Sequence, residues 1–149
     1  MQNLGEFLKE YSGIHNHRMA YEIKRGFRTQ RFTFSEVYNL ASKTATFLKL
    51  KGLKKGDKVA IWSTNMPEYP ILYFGCRLLG AAAVPIDVRT TEETLKIFLT
   101  KARCKVGFKS KFIPGSFGKL VNETLSLEDL IGLVKNLSHN SKDSSEVNR

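Results

Sequence analysis

Two stretches of the chain carry apolar residues without interruption, Val59-Ala60-Ile61-Trp62 and Ala82-Ala83-Val84-Pro85-Ile86. Unbroken runs of four or five apolar residues suit strands covered on both faces, as in a parallel sheet. Pro85 fits best near the end of the second strand, where a missing N–H costs least. Between the runs, ILYFGCRLL reads as a buried helix ending at Gly80. Asn65 is its expected cap, with Pro67 in the first turn and Glu68 favoured by the helix dipole. The whole apolar segment 71–86 is too short to span a bilayer and contains Arg77 and Pro85, so it reads as a helix followed by a strand.

The flanking segments are patterned differently. Residues 18–34 alternate loosely around Gly26, which predicts two short strands joined by a turn. Thr33-Phe-Ser-Glu36 spells a capping box, and Val37, Leu40, Ala41, Ala45 and Leu48 follow at helical spacing to about Lys51, where Gly52 stops the helix. Thr90-Thr-Glu-Glu93 spells a second box, with Leu95, Phe98, Leu99 and Ala102 as the apolar face of the next helix. Residues 104–109 alternate Cys104, Val106 and Phe108 with Lys105, Gly107 and Lys109, which predicts a strand with one face toward solvent or a charged partner. A loop over 110–124 and a short helix from Ser126 complete the pattern, and residues 138–149 are polar without an apolar period, as in a disordered tail.

The predicted order is two strands, then α-β-α-β-α-β and a small helix. Consecutive βαβ units require a parallel arrangement with crossover helices. The expected class is therefore α/β: a parallel-rich sheet built from consecutive βαβ units and flanked by helices, preceded by a short strand pair. Residues 1–137 form one domain in this reading, and 42% hydrophobic residues in 149 supply enough apolar surface for its core.

The net charge of +10 adds a question about partners. Lys96, Lys101, Arg103, Lys105, Lys109, Lys111 and Lys119 fall between Thr94 and Asn122 with no acid among them. Such a segment attracts nucleic acid, an anionic membrane or a phosphorylated ligand. No RNA-binding or recognition-helix signature accompanies it, so a solvated face is preferred over a specific nucleic-acid site. The N-terminal MQNLGEFLKEYSG carries Glu6, Lys9 and Glu10 and has no apolar signal core. With Cys76 and Cys104 read as reduced core thiols, the expected location is cytoplasmic. His15 and His17 form a loop pair with no further ligands nearby, His139 lies in the polar tail, and no metal site is expected.

Candidate chemistry is sparse. Ser63-Thr64-Asn65 and Asp87-Val88-Arg89-Thr90 follow the two buried strands, at the sheet end where α/β proteins bind ligands. Free amides at the following helix starts can hold an anion, while capping already accounts for Asn65 and Thr90. GSFGKL at 115–120 fails as a phosphate loop, because only Ser116 and Phe117 separate its glycines and Leu120 follows Lys119. There is no G-x-G-x-x-G, and no catalytic residue is assigned.

The segment RFTFSEVYNLASKTATFLKLKGLKKGDKVAIWSTNMPEYPILYFGCRLLGAAAVPIDVRTTEETLKIFLTKARCKVGFKS resembles the N-terminal part of adenylate-forming enzymes, the acyl-CoA synthetases and their relatives. The resemblance rests on a "TF.E" helix start, "LK.GD.VA", "N.PEY" and "LGAA.VP.D", in order across roughly residues 30–110. VPIDVRTTEE, KVGFKSKF and the SLEDL helix are similar to long-chain fatty acid–CoA ligases.

The resemblance implies a fatty acid substrate, with ATP, Mg²⁺ and CoA as cofactors of the full-length enzyme. The family's phosphate loop, adenine-binding motif, ribose-binding aspartate and C-terminal catalytic lysine do not occur before Arg149. The chain alone is therefore expected to be an inactive fragment, largely scaffold beside the acyl and pantetheine channels, with none of the cofactors bound tightly. Basic residues near the 104–111 strand contact CoA phosphates in some relatives, which points to Lys109 and Lys111; a solvated lysine pair is the competing account. A stand-alone basic α/β module binding a nucleotide, CoA or a complementary protein chain is the alternative to the ligase reading. Contact with a membrane surface is compatible with either, as is self-association through exposed strand edges.

Overall fold

The computed structural model describes residues 3–138. The chain opens with α1 (Leu4–Ile14), followed by β1 (Met19–Arg25) and β2 (Arg28–Thr33), then α2 (Phe34–Leu50), β3 (Lys58–Trp62), α3 (Glu68–Leu79), β4 (Ala82–Ile86), α4 (Glu92–Ala102), β5 (Val106–Lys109), β6 (Glu123–Ser126) and α5 (Leu130–Val134). β1 and β2 form an antiparallel hairpin. The other four strands form a parallel sheet in the order β4-β3-β5-β6. The predicted α/β class, with its preceding strand pair, is the observed one.

Alternation along the central strand separates two cores. Val59 and Ile61 point to one face, where Val106, Phe108, Leu48, Ile71, Leu72, Cys76, Leu127 and Leu130 close around them. Ala60 and Trp62 point to the other, where they meet Ile86, Leu95, Leu99, Ile113 and Phe117. A continuous apolar run is what a strand between two such layers requires. Phe108 and Phe117 are fully buried, and removing each from water contributes roughly 1.5–3 kcal/mol. The helices α2 and α3 cross where Gly75 meets Thr44.

Several local expectations are corrected. The segment 104–109 is not half-exposed. β5 lies between β3 and β6 and is buried at Val106, Gly107 and Phe108, because Phe117 folds over the position where Gly107 has no side chain. The alternating lysines lie at or beyond the strand ends. Asn65 does not cap α3: Pro67 occupies that place with no side-chain bond, and Tyr69 N donates to Met66 O at 3.0 Å. The cap of α4 is Thr91, not Thr90, since Thr90 N closes a turn onto Asp87 O at 3.0 Å. Phe98 is 43% exposed rather than part of the core.

Two elements have no counterpart in the predicted order. α1 is capped by Asn3, whose Oδ1 accepts from Gly5 and Glu6 amides while Glu6 reaches back, a full capping box. β6 takes the end of the segment assigned to a loop and the predicted start of the last helix at Ser126, so that α5 begins only at Leu130, and it adds a short edge to the sheet. The proposed polar tail at 138–149 falls, apart from Ser138, outside the described residues, as does His139.

Candidate functional site

The parallel register brings Trp62, Ile86, Lys109 and Ser126, the last residues of their strands, into one row at the carboxyl end of the sheet. Ligands of open α/β sheets bind beyond this end. An open cleft of about 430 Å³ lies there, lined by Ser63, Thr64, Asn65, Ile86, Asp87, Val88 and Arg89. Both predicted segments therefore share one wall.

Much of the cleft's polarity is committed within the chain. The Ser63 hydroxyl donates to Thr64 O at 2.8 Å and approaches Met66 Sδ at 3.0 Å. Asp87 Oδ1 accepts from Arg89 N at 2.8 Å and Arg89 Nε at 3.0 Å, and Oδ2 accepts from Arg89 Nη2 at 3.0 Å. These bonds from Arg89 lower the Asp87 pKa to about 2, so carboxylate and guanidinium neutralise each other at physiological pH. Trp62 Nε1 donates to Asp87 O at 3.2 Å and pins the loop to the end of β3. Thr64 and Asn65 are exposed and leave the cleft with polar but uncharged groups.

The other half of the rim is built around lysines and carboxylates. Lys109 Nζ donates to the carbonyls of Ser110 and Ile113 and stands 5.6 Å from the centre of the Trp62 ring. Lys111 Nζ pairs with Asp129 at 2.9 Å, on the surface. Glu128 is the hub: its oxygens accept from Ser110 Oγ at 2.6 Å, Ser126 Oγ at 2.7 Å and the Lys111 amide at 3.1 Å. Burial pushes the Glu128 pKa up, but the two hydroxyls and the amide outweigh it and hold the group below its ordinary value. The two lysines singled out in sequence are thus brought to the same rim, each with an internal partner.

Sequence reasoning missed the residues that fix this rim. Glu128 sits beside Asp129 in a short helical pattern, and nothing local reveals that Ser110, just past β5 and 18 residues away, joins Ser126 in converging on it. The same holds for Arg25, which reaches Glu68 at 3.4 Å, and for Lys105, which pairs with Asp57 at 2.8 Å across the opposite end of the sheet. Burial dominates at Glu68 and raises its pKa despite Arg25. Cys76 and Cys104 are buried free thiols, and burial pushes Cys76 up to about 12, which leaves it protonated and inert. His15 caps the C-terminus of α1 against the Tyr11 ring. Among the described residues no group of three or more His, Cys, Asp or Glu is placed to hold a metal ion, and no helix is long and apolar enough to cross a membrane.

Comparison with known proteins gives this arrangement a family. The chain is 31% identical over 106 residues to the long-chain-fatty-acid–CoA ligase FadD13 of Mycobacterium tuberculosis, covering 71% of this chain and 21% of that protein. It is 29% identical over 115 residues to the crotonobetaine/carnitine–CoA ligase of Escherichia coli, covering 76% of this chain and 22% of that one. It therefore spans about a fifth of the length of these curated relatives. The fold superposes on the N-terminal domain of FACL13 from Mycobacterium tuberculosis with a TM-score of 0.83 at 23% identity, over 97% of this chain and 39% of that one. The N-terminal subdomain of Klebsiella oxytoca NpsA gives 0.78 at 23% identity, over 92% and 34%. The AMP-binding enzyme family matches residues 13–146, which include the hairpin, the whole parallel sheet and α2 to α5, and the chain belongs to that family.

Proposed function

We propose that this chain is the N-terminal part of a fatty acid–CoA ligase of the long-chain type. At full length the enzyme activates a fatty acid with ATP and Mg²⁺ to an acyl-adenylate and passes the acyl group to CoA. The observation that carries this reading is the family match across 13–146, together with 31% identity to a named long-chain ligase over 106 residues. The chain's own contribution is scaffold. It builds a rim whose charged groups are paired internally at Asp87–Arg89 and Lys111–Asp129, and whose cleft offers Thr64 and Asn65 as polar contacts.

The isolated 149 residues are proposed to be inactive, because no phosphate-loop lysine or equivalent nucleotide-binding motif occurs in them. ATP–pyrophosphate exchange with palmitate tests this directly. No exchange above the protein-free rate is expected, and sustained turnover by the chain alone overturns the proposal. Thermal shift with ATP, CoA and palmitoyl-CoA separates scaffold from a stand-alone binding module: a flat response supports the scaffold, and saturable stabilisation by one ligand supports the module.

A CoA-phosphate contact at Lys109 and Lys111 is the finer proposal for this rim. It requires Lys109 to leave two carbonyls and the Trp62 face, and Lys111 to leave Asp129. Changing both to Ala in the full-length enzyme should raise the KM for CoA with little change in the ATP–pyrophosphate exchange rate. An unchanged KM removes these lysines from CoA binding.

A further inference from the structure

The β1–β2 hairpin ends in a two-residue turn, Gly26-Phe27, with Gly26 at φ +58° in the first central position. Such turns ordinarily place a small polar residue second. Here the second residue is Phe27, 108% exposed and the most exposed large hydrophobic side chain among the described residues. The flanking pair adds charge repulsion. Arg25 lies directly across from Arg28, and like charges at cross-strand positions repel. Arg25 has Glu68 as a partner, whereas Lys24 and Arg28 make no ion pair among the described residues. Between Arg18 and Thr33 there are five basic residues and one acid, Glu22, which is taken by Arg31 at 3.0 Å.

Two unfavourable features thus meet at one projecting point, the exposed Phe27 ring and two cations, Lys24 and Arg28, without an ion-pair partner among the described residues. A single kind of surface satisfies both: an apolar layer lying beneath a layer of phosphates. We propose that the hairpin tip docks this protein on an anionic lipid bilayer, with Phe27 entering the headgroup–acyl boundary and Lys24 and Arg28 meeting lipid phosphates. Nucleic acid fits less well, because stacking platforms place successive aromatics along a groove, and here one ring stands on a convex tip. The body of the hairpin is braced for load. Tyr21 Oη donates to Pro67 O at 2.9 Å, and the Tyr21 and Phe32 rings pack 5.1 Å apart against the core.

The inference does not rest on the ligase reading, since binding is measured without turnover. The 149-residue chain is sedimented with vesicles of phosphatidylcholine alone and with about a third phosphatidylserine. Binding to the anionic vesicles, lost in high salt and absent from neutral ones, is expected. Phe27→Ser should weaken it about tenfold, and Lys24→Gln with Arg28→Gln about thirtyfold, at about fivefold per basic residue. Phe27→Leu should retain it. Phe27→Trp should show a blue-shifted emission on anionic vesicles, readable above the buried Trp62. No sedimentation with anionic vesicles, or binding unchanged in Phe27→Ser, overturns the proposal. So does displacement from vesicles by single-stranded RNA with quenching of the introduced Trp, which assigns the tip to nucleic acid instead.

Discussion

Gly75 of α3 lies so close to Thr44 of α2 that a Cβ built on it stands 2.6 Å from the Thr44 methyl and 3.1 Å from Ala41 O. Both residues are buried here, and the Thr44 hydroxyl is already spent on Leu40 O at 2.8 Å. Replacing a mid-helix Gly by Ala ordinarily gains about 0.5–1 kcal/mol. Overpacking a closed contact costs about 1–3 kcal/mol. The second effect wins because the new methyl would stand 2.7 Å from the Thr44 Cβ, which the α2 backbone holds in place, and Gly75→Ala should lower the melting temperature by several degrees, at about 2–4 °C per kcal/mol. A rise in melting temperature would show that α2 and α3 separate without cost.

Glu128 ties β5, β6 and the loop after β5 through one carboxylate. Glu128→Ala leaves the Ser110 hydroxyl, 2% exposed, and the Lys111 amide without their acceptor, which should cost about 1–3 kcal/mol in urea denaturation. The folded pKa of Glu128 lies below its ordinary value. Its contribution to stability is therefore present above the unfolded value near 4.5 and is lost as pH falls through the folded pKa. Glu128→Gln should flatten the acid limb of the stability curve.

Glu68 behaves in the opposite sense. Burial raises its pKa, so the stabilising form is protonated, fully in place below the ordinary value of 4.5 and lost as pH rises through the folded pKa. Arg25 opposes that rise. Arg25→Ala should move the Glu68 titration, followed by carboxyl carbon NMR, to still higher pH. The accompanying stability loss, about 1 kcal/mol for a half-exposed partner, should be larger at pH 7 than at pH 4. Equal losses at both pH values would mean that Arg25 acts through packing alone.

Both thiols should be silent in the native protein. Cys76 and Cys104 are buried and their pKa values are raised by burial, so reaction with a thiol reagent should await unfolding and then proceed at both sites. Rapid native labelling of Cys104, near the surface depression lined by Arg103 and Lys119, would reveal local opening of the α4–β5 turn.

The sheet was legible because its strands announce themselves: Val59–Trp62 is apolar on both faces and buried on both, while Ala82–Ile86 is just as apolar but forms the sheet edge, where only Ile86 is buried and Pro85 is exposed. β5 misled because Gly107 contributes no side chain, and the ring that covers it comes from Phe117, ten residues on. α1 was readable too: Asn3-Leu-Gly-Glu6 is a capping box like that of Thr33-Glu36, and Leu4, Phe7, Leu8 and Tyr11 follow at helical spacing, although Leu4 and Phe7 stay exposed. β6 has four residues and a single ladder, too short for a period to emerge. At the rim, the positions of Ser63–Asn65 and Asp87–Arg89 follow from the strand order alone. The internal pairing that neutralises their neighbours depends on contacts 18 residues apart and more, such as Ser110–Glu128. Local pattern carries no trace of these.

The brace between hairpin and body has a mechanical meaning. Arg25 and Tyr21 both fasten to the first turn of α3, the helix that begins beside the cleft at Ser63–Asn65. Whatever draws the hairpin away strips a buried carboxylate of its cation and a backbone carbonyl of its donor at the same spot. The hairpin is thus fastened to the body at the helix start that borders the cleft.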